Sequence, residues 1–226
     1  MNPNPPTKQD AELFCDICNR VYHSWVTYSI VFEEFPTFLL QSKYDINEED
    51  FLNSPIGSSM SVINNDLLDN VLSQIATLHD PAKSGKNQNR SIDLFATHVK
   101  WSDEEKKEIQ ILSEKIGKLY NETEIKKYRN KILAHNARDD FENSFDLFPC
   151  KGTVEEYFLL LAKFCTLVRK KFKIYPYEIL FNKEGIPNCP DHPVNGAGAL
   201  RYLLEISIED YLVTQIQLDP DVFRSD

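Results

Sequence analysis

Tyr128-Arg129-Asn130-Lys131-Ile132-Leu133-Ala134-His135 is the stretch whose reading decides both the fold and the chemistry of this chain. Lys126 and Lys127 precede it, and the polar run Asn136-Ala137-Arg138-Asp139-Asp140 that follows stops a helix. At helical spacing Ile125, Tyr128, Arg129, Ile132 and Leu133 fall on one side, which predicts an amphipathic helix. Arg129 thus lies on the apolar stripe, and His135 sits about 120° round and about 9 Å further along, beside Tyr128. A permanent cation on such a stripe is costly unless an anion, a hydrogen-bond partner or a second subunit meets it. Two explanations stand side by side. In the structural one, His135 suits the negative end of the helix dipole and Arg129 pairs with an internal carboxylate. In the chemical one, the guanidinium and the imidazole share a phosphodiester.

Outward from this stretch the chain reads as helix. The 226 residues hold 42% hydrophobic and 27% charged residues, the balance of an ordinary globule with an ample core. Only seven glycines occur, and none stands in a dinucleotide fingerprint or a phosphate-loop pattern. Ser84-Gly85-Lys86 lacks the first glycine of a phosphate loop and follows a helix rather than a strand, so a solvated loop is expected there.

Leu13, Phe14, Ile17, Val21, Tyr22, Trp25, Tyr28, Ser29 and Phe32 trace the apolar face of a first helix from about Gln9, which Pro36 ends or kinks. Residues 44–60 read as a polar connection. A second helix is expected over Ser61 to Leu78, with Ile63, Leu67, Leu68, Val71, Leu72, Ile75 and Leu78 inward. His79-Asp80-Pro81 stops it, because proline disfavours helix in the residue before it. Ile92, Leu94 and Phe95 form a short clip onto the core. Ser102 and Glu105 make a capping box for a third helix with Ile109, Leu112, Ile116 and Leu119 inward. Thr153 and Glu156 make another, ahead of the apolar run from Val154 to Val168. The carboxylate pairs Glu104-Glu105 and Glu155-Glu156 compensate helix dipoles and are not expected to be catalytic. Past Tyr175, Pro176, Pro187, Pro190 and Pro193 punctuate a loop-rich region. The expected organisation is a disordered tail at 1–8, a helical bundle at 9–175, and a C-terminal extension at 176–226 packed on the bundle.

A formal charge of −10 argues against bulk attraction to DNA, which rests on many cationic contacts. It leaves room for a small basic site, and Lys126, Lys127, Arg129, Lys131 and Arg138 are such a concentration, although a charge run is usually a solvated helix face. The opening residues lack the apolar core of an export signal, and no apolar run is long enough for a membrane span. With five cysteines, an odd number, a reducing cytoplasm is the expected location. Cys15 and Cys18 invite a zinc reading that Cys189 and His192 would complete, but a pair in mid-helix fits core packing better.

Three features together resemble the HEPN superfamily, and within it the abortive-infection (AbiU-like) branch. They are Arg129-Asn130 followed by His135, Leu78-His79-Asp80-Pro81 closing a helix ahead of a polar loop, and the aromatic spacing Trp25, Tyr28, Phe32. The resemblance spans roughly residues 10 to 175. It implies an all-α, antiparallel helical bundle in which the signature helices of two protomers face each other across one composite cleft. Many such proteins are metal-independent endoribonucleases, and others only bind partners. Carried onto this chain, the resemblance makes Arg129, Asn130 and His135 the catalytic set, with Lys126, Lys127 and Lys131 adding attraction for RNA. No cofactor or metal is expected. The expected partners are RNA, a second copy of the chain and an antitoxin protein. The alternative is a non-catalytic module that dimerises or docks a partner through the same residues.

Overall fold

The computed structural model describes residues 3–29, 55–122, 126, 151–175, 200, 206, 213 and 214. Among them the chain is all-α, with five helices and one small hairpin. They are α1 (Lys8–Thr27), α2 (Pro55–Leu78), β1 (Lys83–Ser84), β2 (Asn87–Gln88), α3 (Ile92–Thr97), α4 (Asp103–Glu122) and α5 (Lys151–Phe172). Two compact units divide the chain: Met1–Tyr22 with Val71–Ile186, and His23–Asn70 with Pro187–Asp226.

The first unit is built on aromatic side chains. Phe14 of α1 lies 4.7 Å from the ring of Phe95 and 5.9 Å, edge-on, from Phe164. Tyr22 meets Phe158 edge-on at 5.4 Å. Leu72, Ile75 and Leu78 of α2 complete this core at no more than 1% exposure, and α4 packs along α5. Burying such side chains is worth about 1.5–3 kcal/mol each, the main force that holds the helices together. In the second unit Trp25 stacks on Tyr28 at 5.4 Å, and Val26, Met60 and Leu68 are buried.

Local signals set most helix ends. Ser102 and Glu105 form the expected capping box: the Ser102 N–H donates to Glu105 Oε2 at 2.9 Å, and the Glu105 N–H to Ser102 Oγ at 3.4 Å. Lys171 reaches the same Glu105 oxygen at 3.2 Å, which ties the end of α5 to the start of α4. Ser91 caps α3, and the clip behaves as expected, with Ile92, Leu94 and Phe95 all buried. α5 ends in a left-handed Lys173 at φ 54°. There the Ile174 N–H reaches Arg169 O at 2.9 Å and the Lys173 N–H reaches Lys170 O at 3.3 Å. This is the paired closure of a Schellman end, with Ile174 as its buried apolar follower.

Several expectations change. α2 begins at Pro55 rather than near Ser61, because proline is well suited to a first helical position where its missing N–H costs nothing. Ile63 is 53% exposed and Leu13 38%, so neither belongs to the inward faces assigned to them. Leu119 is only half-buried, and its neighbour Tyr120 takes the core position. Thr153 already lies inside α5, which starts at Lys151 and not at a Thr153–Glu156 box. The loop after Pro81 contains a hairpin, Lys83 opposite Gln88 and Ser84 opposite Asn87. Gly85 turns it at φ +60°, the first central position that a two-residue hairpin reserves for glycine. From Pro3 on, the tail has defined contacts: the Asn4 N–H donates to Gln88 Oε1 at 2.9 Å, and Thr7 and Asp10 cap α1 reciprocally. Pro36 and Phe32 lie outside the described residues.

Candidate functional site

α2 closes on His79. In its last turn the His79 N–H reaches Ala76 O at 3.1 Å and the Asp80 N–H reaches Thr77 O at 3.2 Å, a tightening that ends where Pro81 has no N–H to give. The loop beyond is held by its own polar groups. Asn89 Nδ2 donates to Pro81 O at 2.8 Å, and the Ala82 N–H donates to Asp93 Oδ2 at 2.8 Å.

This anchoring places the His79 imidazole between two tyrosines from distant parts of the chain. Its ring lies flat on that of Tyr120, with centroids 3.9 Å apart and planes within 6°. His79 Nε2 and the Tyr157 hydroxyl are hydrogen-bonded at 3.1 Å, with the tautomer deciding which of them donates. Tyr157 is fully buried, so this bond meets a hydroxyl that would otherwise lose its solvation. Burial, helped by the nearby positive charge of Lys126, pushes the His79 pKa down to about 4. His79 is therefore a neutral imidazole at physiological pH. Burial likewise raises Tyr157 well above the usual phenol range, so its proton stays on.

Lys126 is the one residue of the expected basic and catalytic set that lies among the described residues. It is helical and exposed, and its Nζ donates to Asn121 Oδ1 at 2.9 Å. Asn121 in turn donates from Nδ2 to Gly117 O at 2.7 Å, which holds its side chain against the last turn of α4. Arg129, Asn130 and His135, with Lys127 and Lys131, lie outside the described residues.

The cysteines have a different role. Cys15, Cys18 and Cys165 are free thiols at 0% exposure in the first unit's core. Cys165 of α5 neighbours both thiols of α1. Cys165 and then burial raise Cys15, while burial first raises Cys18 and Cys165. All three stay protonated, the inert condition of packed cysteines. Among the described residues no three His, Cys, Asp or Glu side chains are grouped to hold a metal ion. Cys189 and His192 lie outside them.

In the sequence His79 belongs to a helix stop and to one of the features that carry the resemblance, and neither signals its tyrosine partners. The Tyr157 partner stands 78 positions away, so no local spacing signals it.

The family model for AbiU2, a HEPN group, matches residues 11–171, which include the His79 junction and the whole Arg129–His135 stretch. The chain belongs to the AbiU2 family of HEPN proteins. No curated protein and no solved structure matches it. Membership in AbiU2 associates the protein with abortive infection, and the helical architecture agrees with the HEPN fold. No helix among the described residues is long and apolar enough to cross a membrane.

The neutral His79 should make this AbiU2 protein sensitive to mild acid. Between pH 6.5 and about 4 the unfolded chain takes up a proton that the folded one refuses. Stability should therefore be complete above pH 6.5 and fall as the pH drops through that window, by up to about 3 kcal/mol. Asp10 and Glu105 weaken the fold only further into acid, since both carboxyls are held below their ordinary values. Burial opposes the Asp10 shift, but Thr7 and Arg90 outweigh it; for Glu105 the Ser102 N–H leads. Urea titrations at pH 7.5 and 5 check this, and His79→Gln should flatten the dependence between them. An unchanged slope in that variant would assign the acid loss to other groups.

Proposed function

We propose that the protein is a metal-independent endoribonuclease of a phage-defence or toxin–antitoxin type, cleaving RNA at a composite site formed by two copies. The observation that carries this is the AbiU2 match across residues 11–171, inside which Arg129-Asn130 and His135 stand at the spacing of the HEPN signature. A ribose 2′-hydroxyl attacks its own phosphate, the bond to the 5′-oxygen breaks, and a cyclic phosphate and a 5′-hydroxyl result. His135 exchanges the proton, taking it from the 2′-hydroxyl and returning it to the departing 5′-oxygen, a task for which an imidazole's ordinary pKa of about 6.5 is suited near neutrality. Arg129 stabilises the added charge on the pentacoordinate phosphorus through its planar fork of donors. Asn130 orients the phosphate or the histidine, and Lys126, Lys127 and Lys131 attract the RNA backbone.

The competing reading is a non-catalytic module that pairs with itself or with an antitoxin, and the formal charge of −10 favours it. One assay separates the two. Purified protein is incubated with a mixed RNA pool in excess chelator, and the product ends are determined. Cyclic-phosphate ends are the expected result. Intact RNA at micromolar protein would leave the partner-binding module.

A further inference from the structure

In a chain with 25 cationic and 35 acidic side chains, two described stretches carry several cations and no carboxylate. Lys83, Lys86 and Arg90 belong to the hairpin and its exit, while Arg169, Lys170, Lys171 and Lys173 close α5. Contacts within the first unit bring the two stretches to one end of it. The hairpin is tied to α3 where the Ala82 N–H meets Asp93 Oδ2 at 2.8 Å, and Phe95 of α3 meets Phe172 edge-on at 6.1 Å. Trp101 joins the same end: its Nε1–H donates to Phe95 O at 2.9 Å, and Lys171 Nζ lies 5.5 Å from its ring centroid.

Three carboxylates at this end already have partners. Asp10 binds Arg90 and the Thr7 N–H, Asp93 holds the Ala82 N–H, and Glu105 holds Lys171 and the Ser102 N–H. Among the described residues Lys83, Lys86, Lys100, Lys170 and Lys173 have no ion pair, and all but Lys83 are exposed. Gly85 turns the hairpin at φ +60° and leaves Lys86 at its tip. Arg169 donates to the Tyr175 carbonyl at 2.9 Å, which fixes the backbone where the Tyr175 side chain stands out at 74% exposure. Asp103 and Glu104, exposed in the first turn of α4, offset part of this charge.

We propose that this end of the first unit is a sequence-independent binding face for single-stranded nucleic acid. Unpaired lysines spread over separate elements meet successive phosphates, and the exposed Tyr175 ring offers a base a surface to stack on. An acidic body with one cationic end also confines the strand to that end. A membrane surface calls for an apolar wedge beside the cations, and no large apolar side chain is exposed on the hairpin. The inference goes beyond the nuclease reading and does not need it, because no residue of Arg129–His135 enters and binding is read without cleavage.

Fluorescence anisotropy of the full chain with a 2′-O-methylated oligouridine, which cannot be cut through its 2′-oxygen, tests the face. Lys83→Gln, Lys86→Gln and Lys170→Gln combined should weaken binding at least about tenfold at low salt. The same variant should lower the log–log salt slope by about 2, since each lost single-strand contact removes about 0.7. Lys115→Gln, Lys118→Gln and Lys163→Gln combined remove as much charge from the α4 and α5 surfaces and should cost less than about threefold. Tyr175→Ala should weaken binding about fivefold or more and leave the slope unchanged. Absence of binding by the wild-type protein at micromolar concentration, equal losses in the two triple variants, or attachment to phosphatidylserine vesicles in place of the oligonucleotide would overturn the face. Cleavage of ordinary RNA by a protein that fails this binding test would leave the nuclease reading standing alone. Binding without any cleavage would leave the face and remove the nuclease.

Discussion

Alanine at His135 should reduce RNA cleavage by about 10²- to 10⁴-fold, the usual contribution of one positioned proton carrier. Arg129→Ala should cost about 10²- to 10³-fold, the loss expected when one preorganised charge-stabilising group is removed. Both should abolish growth inhibition while leaving the far-ultraviolet dichroism helical. The double variant should lose less than the product of the two single losses, since residues that act on one transition state are not additive. The pH dependence separates their roles. Arg129 stays charged throughout, so its variant should keep the wild-type profile at a lower rate. His135→Ala should flatten whichever limb the imidazole controls. Single-turnover cleavage of a defined RNA from pH 5.5 to 9 measures both effects. Undiminished rates in both variants would remove the proposed chemistry.

The second large effect is on the fold. Phe14→Ala should destabilise the protein by about 3–5 kcal/mol, because it removes the side chain on which two aromatic contacts converge. Phe14 is wholly buried, with Phe95 at 4.7 Å and Phe164 at 5.9 Å, so the vacated space cannot be refilled by a small shift. Against a total stability of about 5–15 kcal/mol, a loss of that size moves the urea midpoint far to the left. Leu13, its neighbour on α1, is the control. At 38% exposure, Leu13→Ala should change stability by less than about 1 kcal/mol. Equal losses at the two positions would show that the face of α1 assigned to the core is wrong.

That contrast marks how far the sequence reaches. Helical class was legible because hydrophobic period and the capping pair Ser102–Glu105 are local properties, settled within a few residues. So was the stop at His79-Asp80-Pro81, since proline acts on its immediate neighbours. The family, too, was legible from short motifs, and the match over residues 11–171 bears it out.

What the sequence could not decide was which side of a broad apolar face finds a partner. Leu13 and Ile63 fit the period as well as their buried neighbours, yet both stay exposed. Cys15 and Cys18 by themselves admit metal or core, and the partner they meet, Cys165, comes from α5. His79 reads as punctuation until Tyr120 and Tyr157 close on it and its imidazole is left neutral. Period and caps are written in neighbouring residues, whereas burial, and the ionisation that follows from it, depends on side chains that only folding brings together.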